Sequence, residues 1–225
     1  MLRTTLLAGL LLAVGTYGYA QTTATTTVSG RLSVMDRGNR QAQDVGQAVV
    51  WLEGKAPGRL TPARLETFTE NKQFLPHVSV LLVGSSMAFP NHDPFNHNVF
   101  SLSPEGRFDL GLYGRGEAKA NTFNQPGIIR VYCNVHAQMS GFIVVRDNPW
   151  YAQPSGDGSF TIQNVPPGAY TLHVWHERGG ETTRRIEVPA TGVKDVTLQL
   201  DARGFRFTPH LNKFGQPYTQ QGRRY

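Results

Sequence analysis

The one cysteine of this 225-residue chain lies in the stretch Tyr132-Cys133-Asn134-Val135-His136-Ala137-Gln138-Met139-Ser140-Gly141-Phe142-Ile143-Val144-Val145. A histidine and a methionine follow it at three-residue steps. Strand-like runs stand on either side, Gly127 to Tyr132 before and Gly141 to Arg146 after, so the intervening residues form a turn between two strands. That turn confines a thiol, an imidazole and a thioether to one end of a sheet.

Taken singly, each of these side chains has an ordinary explanation. A lone cysteine is usually a small buried hydrophobe, and a methionine after it fills a core. Together they form a soft donor set. A metal that alternates between Cu(I) and Cu(II) is served by a thiolate and two imidazoles in a trigonal plane, with a weak thioether on the axis. Zinc prefers closed tetrahedral nitrogen and sulfur sites and gains little from a thioether, so Met139 argues for copper. Cys133, His136 and Met139 supply three of the four donors. The fourth must come from a distant segment, and Asn96-His97-Asn98-Val99-Phe100-Ser101 offers His97, 36 residues before the cysteine. His92 and His77 compete for that place, but His92 sits in the turn-rich Pro90 to Asn96 and reads as a polar loop residue.

The Cys133-His136-Met139 spacing and His97-Asn98-Val99 together resemble the cupredoxins, small blue copper proteins, and the loop is closest to the short amicyanin-like form. Lys72 to Gly84, followed by Met87-Ala88-Phe89-Pro90-Asn91, resembles the family's strand leading to the ligand, so that the likeness spans residues 66 to 146. It implies a Greek-key β-sandwich holding one copper that cycles between Cu(I) and Cu(II). The implied ligands are His97, Cys133, His136 and Met139, with a partly exposed His136 passing single electrons. Asn98 is then expected to tie the His97 loop to the Cys133 loop by hydrogen bonding, as an outer partner that tunes the metal. The loop carries Asn134, Val135, Ala137 and Gln138 where amicyanin-like loops have prolines, which bears on potential and rigidity more than on copper binding.

After Asp147-Asn148-Pro149-Trp150 the pattern changes. Gly156 to Trp175, with Val165-Pro166-Pro167-Gly168-Ala169-Tyr170 at its centre, resembles the carboxypeptidase regulatory-like (transthyretin-like) domain, a small non-catalytic β-sandwich. Peptidase activity does not follow from it. Residues up to Leu200 supply only about four strands of such a module, whereas Ser29-Gly30-Arg31 and Gln47-Ala48-Val49-Val50-Trp51 resemble its start. Two arrangements are open: a cupredoxin domain over 21–148, or the same domain inserted between 21–54 and a second sandwich at 149–201. His173 and His176 stand an odd number of residues apart in a strand and face opposite ways, which suits surface or packing roles.

With 24 Gly, 14 Pro and many Val, Thr and Phe, the class is all-β: a Greek-key sandwich plus a second, Ig- or transthyretin-like one. Expected strands are Val28 to Val34, Gln47 to Leu52, Leu65 to Phe68, Phe74 to Leu82, Met87 to Phe89, Asn98 to Leu102, Arg107 to Leu112, Lys119 to Phe123, Gly127 to Tyr132 and Gly141 to Arg146. Gly54 to Pro62 reads as a link.

Residues 1–20 combine Arg3, an apolar run from Leu6 to Val14 and small residues at Gly18 and Ala20, the pattern of a cleaved signal peptide. The expected mature chain begins at Gln21, carries no transmembrane segment, and is periplasmic. An unpaired cysteine in an exported protein is unusual, and a metal-bound thiolate accounts for it. The formal charge of +6 is Arg3 plus Arg203, Arg206, Lys213, Arg223 and Arg224, because residues 202–225 contain no acid. The body is therefore neutral and a nucleic-acid partner is not expected. The basic tail at 202–225 is a candidate surface for docking a redox partner protein, since such charge steers encounter. No serine-histidine-aspartate order, phosphate loop or catalytic carboxylate pair is visible, and none of the seven histidines forms an H-x-H pair, so an enzyme is not expected. The reading is an exported single-electron carrier; the alternative is a periplasmic copper carrier or scaffold without electron transfer.

Overall fold

Two runs in the sequence lack polar alternation, Val49–Leu52 and Phe142 to Val145, and in the computed structural model both are strand segments buried on both faces. The structure describes residues 24–56 and 58–218; the expected leader at 1–20 lies outside the described residues, as do Arg223 and Arg224. The chain forms β1 (Thr26–Asp36), β2 (Arg40–Gln41), β3 (Val49–Leu52), β4 (Arg64–Glu66), β5 (Phe68–Glu70), β6 (Gln73–Leu75), β7 (Val78–Leu82), β8 (Ser86–Pro90) and β9 (His97–Ser101). It continues with β10 (Phe108–Tyr113), β11 (Ala118–Thr122), β12 (Gly127–Cys133), β13 (Ser140–Arg146), β14 (Tyr151–Ala152), β15 (Ser159–Val165), β16 (Gly168–His176), β17 (Gly180–Val188) and β18 (Val193–Asp201). Among the described residues two single-turn helices, Val45–Gln47 and Pro104–Gly106, are the helical content, so the protein is all-β.

One pair of sheets is built from the two ends of the described chain. β1 runs between β15 and β18, and β3 runs between β14 and β16, with β17 beyond. Alternation explains their packing: Val28, Leu32 and Val34 of β1 point inward with Val196, Leu198 and Leu200 of β18, while the residues between face out. They meet Val50, Leu52, Leu172, Val174, Ile186 and Val188 of the facing sheet. At Gly30 the register between β1 and β18 shifts, and a Cβ there would overlap the Val196 carbonyl, so only glycine admits the approach. The strands beginning near Val28 and Val49 thus pair with strands after residue 150, and neither pairs with a strand of 64–146.

Residues 64–146 form the other pair of sheets, a five-stranded sheet in the order β10-β9-β12-β13-β7 and a three-stranded sheet β11-β8-β4, with the β5–β6 hairpin alongside. Phe74, Leu81, Met87, Phe89, Val99, Phe123, Ile129, Val131, Ile143 and Val145 fill its core together with Cys133 and Met139. The expected single strand Phe74 to Leu82 is two, because Pro76, which has no N–H to give a ladder, separates β6 from β7.

A third cluster joins the two halves: Val49, Trp51 and Trp175 from one side pack on Val78, Phe142 and Val144 from the other. Trp175 and Phe142 ring centroids lie 5.0 Å apart. This contact explains the continuous apolar runs of β3 and β13, each of which serves one core on its inner face and the joint on its outer face. It also fixes β13, whose first residue follows the candidate metal loop.

Candidate metal centre

Strand register brings the distant donors together. β9 and β12 are antiparallel neighbours, with Cys133 opposite Val99. His97 is two residues from Val99 and shares its face, so it becomes a diagonal neighbour of Cys133 despite the separation in sequence. The loop then folds back on itself: Met139 N donates to His136 O at 3.0 Å, and Cys133 N donates to Met139 O at 3.1 Å. This turn returns the His136 ring to the cysteine.

The result is a compact group. His97 Nδ1 lies 3.4 Å from Cys133 Sγ, and His136 Nδ1 lies 3.5 Å from the same sulfur. The three candidate ligand atoms all lie within 4.8 Å of one another. His97 and Cys133 are fully buried, Met139 is buried in the same core, and His136 is half-buried. Phe95 presents its ring to both imidazoles, with centroids 5.4 Å from His97 and 5.3 Å from His136. Three of the residues singled out in the sequence, His97, Cys133 and His136, thus bring their donor atoms together, and Met139 is buried in the same core beside them, whereas His92 stacks on Phe68 and His77 pairs with Glu177 at 2.6 Å.

The electrostatics suit a metal at this spot. Asp93 Oδ2 faces His97 Nε2 at 2.8 Å, and the carboxylate also accepts from the amides of Asn71 and Lys72. Burial pushes the Asp93 carboxyl up, but those amides and the His97 ring outweigh it and hold it below the usual range. An ionised Asp93 claims the Nε2–H, which leaves the Nδ1 lone pair of His97 toward the sulfur. Burial keeps His97 neutral against the pull of Asp93. His136 is drawn down to about 4 by burial and then by His97. Burial raises the Cys133 thiol, while the backbone N–H groups of Asn98, Val135 and His136 oppose it by favouring the thiolate. A buried thiol with neutral imidazole lone pairs at contact distance is a donor set that a soft cation fits, its binding displacing the one proton.

Two sequence expectations change in detail. Asn98 does tie the two loops, but through its backbone: its carbonyl accepts from Asn134 N at 2.9 Å, while its side chain donates to Asp109 Oδ1 at 2.6 Å. His136 is partly exposed as expected, yet its Nε2 is itself buried without a hydrogen-bond partner. What the sequence reading missed is the surrounding set: Asp93, Phe95 and Asp109, and the C-terminal residues His210, Lys213 and Tyr218. The one local signal was Asp93, four residues before His97. Residues 210–218 of the basic tail reach the loop, with Tyr218 OH donating to Cys133 O at 2.8 Å and Lys213 N to Asn134 Oδ1 at 2.9 Å.

No family model matches the chain, and no curated protein matches it. Among solved structures the chain is similar to a copper-containing nitrite reductase from Thermus scotoductus, at 25% identity over 42% of this chain with a TM-score of 0.36. The match spans a quarter of that enzyme's length, 25%. It is also similar to a purple cupredoxin from Nitrosopumilus maritimus, at 20% identity over 36% of this chain and 99% of that one, TM-score 0.34. A mutant amicyanin in its reduced state gives 16% identity over 43% of this chain and 98% of that one, TM-score 0.35. The structural neighbours thus include cupredoxins, and the chain holds a His-Cys-His group among its described residues.

Proposed function

We propose that this protein is an exported blue-copper carrier of single electrons. His97 and His136 would hold the metal through Nδ1 and Cys133 through Sγ, with Met139 as the weaker fourth donor. The observation that carries this reading is the convergence of three soft or borderline donor atoms within 4.8 Å around a buried sulfur. Copper bound there supplies a one-electron Cu(I)/Cu(II) couple.

The protein's part is to hold the donors still. Asp93 orients His97, and the amides of Asn98, Val135 and His136 favour the thiolate. Phe95 covers both rings and the close-packed core below resists rearrangement, so little reorganisation accompanies a change of charge. We assign no catalysis to the chain. Its partners in this reading are redox proteins, with the exposed Arg203 and Arg206 available for docking, and its compartment is the periplasm. We further propose that 64–146 is the copper domain, inserted into a second sandwich made from 26–54 and 147–202, as the strand pairing suggests.

The enclosed Nε2 of His136 favours a second reading, a copper carrier that exchanges the ion and passes no electrons. Voltammetry of the copper-loaded protein separates the two. A reversible one-electron wave with copper retained in both states supports the electron carrier; release of copper on reduction supports the ion carrier.

A further inference from the structure

The Cys133–Met139 loop contains neither proline nor glycine, and its internal backbone hydrogen bonds are the two that involve Met139. Asn134 N is held by Asn98 O at 2.9 Å, and the loop's other anchors come from the far end of the chain. Tyr218 OH donates to Cys133 O at 2.8 Å, Lys213 N donates to Asn134 Oδ1 at 2.9 Å, and His210 Nε2 lies 3.3 Å from His136 O. The His210 ring stacks on Tyr132 with centroids 4.4 Å apart and meets the Tyr218 ring at 5.3 Å.

Lys213 also closes a ring of four residues. Its Nζ reaches Asp109 Oδ2 at 2.6 Å, Asp109 Oδ1 accepts from Asn98 Nδ2, Asn98 O accepts from Asn134 N, and Asn134 Oδ1 accepts from Lys213 N. The ring therefore joins the residue after His97 to the residue after Cys133 through the tail. The tail is shaped for this beforehand. Gly215 N donates to Asn212 O, Asn212 N donates to Gln216 O, and Asn212 Oδ1 accepts from Phe214 N and Gln216 N. A segment already folded into a turn loses less freedom when it docks.

We propose that residues 210–218 are a clamp that positions the ligand loop, with Lys213 and Tyr218 as positioning residues that hold the donors together before and after copper enters. The inference rests on the copper reading for its purpose, while the clamp itself is a property of the metal-free chain. The loop lacks the prolines that would stiffen it from within, so the stiffness comes from outside. Copper loss requires the loop to open, and the clamp slows that opening.

The test uses the full chain carrying Tyr218→Phe together with Lys213→Ala, which removes the phenol donor and the ammonium but keeps every backbone group. Amide exchange of Asn134 and Met139 is followed in the copper-free protein. We expect it to quicken about tenfold or more, the factor that one net hydrogen bond carries, with the amides of Phe142 to Val145 unchanged. Tyr218→Phe with Lys213→Arg, which keeps a cation for Asp109, should fall between. On the copper-loaded protein, removal of Cu(I) by a chelator should accelerate by a similar factor. Unchanged exchange at Asn134 and Met139, or equal acceleration in the Phe142 to Val145 strand, would overturn the clamp. A wild-type chain that takes up no copper would overturn the functional reading alone, since the exchange comparison needs no metal.

Discussion

Asp93 Oδ2 lies 2.8 Å from His97 Nε2, so one carboxylate determines which nitrogen of the buried histidine looks toward Cys133. The same carboxylate accepts the amides of Asn71 and Lys72, both at positive φ in the β5–β6 turn, and so pins that turn to the site. Replacing Asp93 with Ala frees the His97 ring and leaves two amides short of an acceptor. Copper affinity should fall about 10- to 100-fold, the range seen when an outer partner of a ligand histidine is lost. Chelator competition measures the affinity; an unchanged value would remove Asp93 from the account.

Proton release gives a second expectation. Burial raises the Cys133 thiol, so copper must displace its proton, and apparent affinity should climb about tenfold per pH unit through neutrality. His136, at about 4, stays neutral there and competes only in acid, where the slope steepens. The metal-free fold follows the opposite partner of this linkage. With the folded-state value of His136 below its ordinary 6.5, the unfolded chain takes the proton first; stability is full above 6.5 and declines as pH falls toward about 4. Calorimetric titration in buffers of different ionisation enthalpy counts the protons, and a count of zero would contradict the buried thiol.

Met139 is fully enclosed and belongs to the same core as Cys133. Met139→Leu keeps the volume and should cost less than about 1.5 kcal/mol. It removes the thioether, so the copper protein should keep its colour and show a higher reduction potential. An unchanged potential would mean that Met139 is packing alone.

Phe142 tests the joint between the halves. Its ring meets Trp175 at 5.0 Å and the His77 ring at 5.6 Å, on the face of β13 away from the core that holds Cys133. Phe142→Ala should destabilise the protein by about 3–5 kcal/mol in denaturant unfolding while leaving the spectrum of the copper protein unchanged. A variant as stable as the wild type would mean that the joint contributes little.

The core of the site was legible because its signal is chemical and local. Cys133, His136 and Met139 stand three residues apart in one turn, and His97-Asn98-Val99 is a short strand start, so residue type and spacing were enough. The strands around them were legible too, to within a residue or two at most ends, because β-branched runs alternate with turns. Partner choice among strands was not, since Val28 to Val34 carries an inward stripe that suits either sandwich and only three-dimensional pairing with β15 and β18 decides. The clamp was invisible for a similar reason. Lys213 and Tyr218 look like an ordinary basic, aromatic tail, and their importance arises from contacts across 79 and 85 residues to Asn134 and Cys133.

The central claim is that Cys133 binds copper as a thiolate beside two imidazoles. The most direct measurement is the visible spectrum of residues 21–225 titrated with Cu(II), next to the Cys133→Ser protein. The account predicts an intense thiolate-to-copper band that saturates at one copper per chain and is absent from Cys133→Ser, whose fold is retained. A colourless wild-type protein, or a Cys133→Ser protein with the same band, would contradict it.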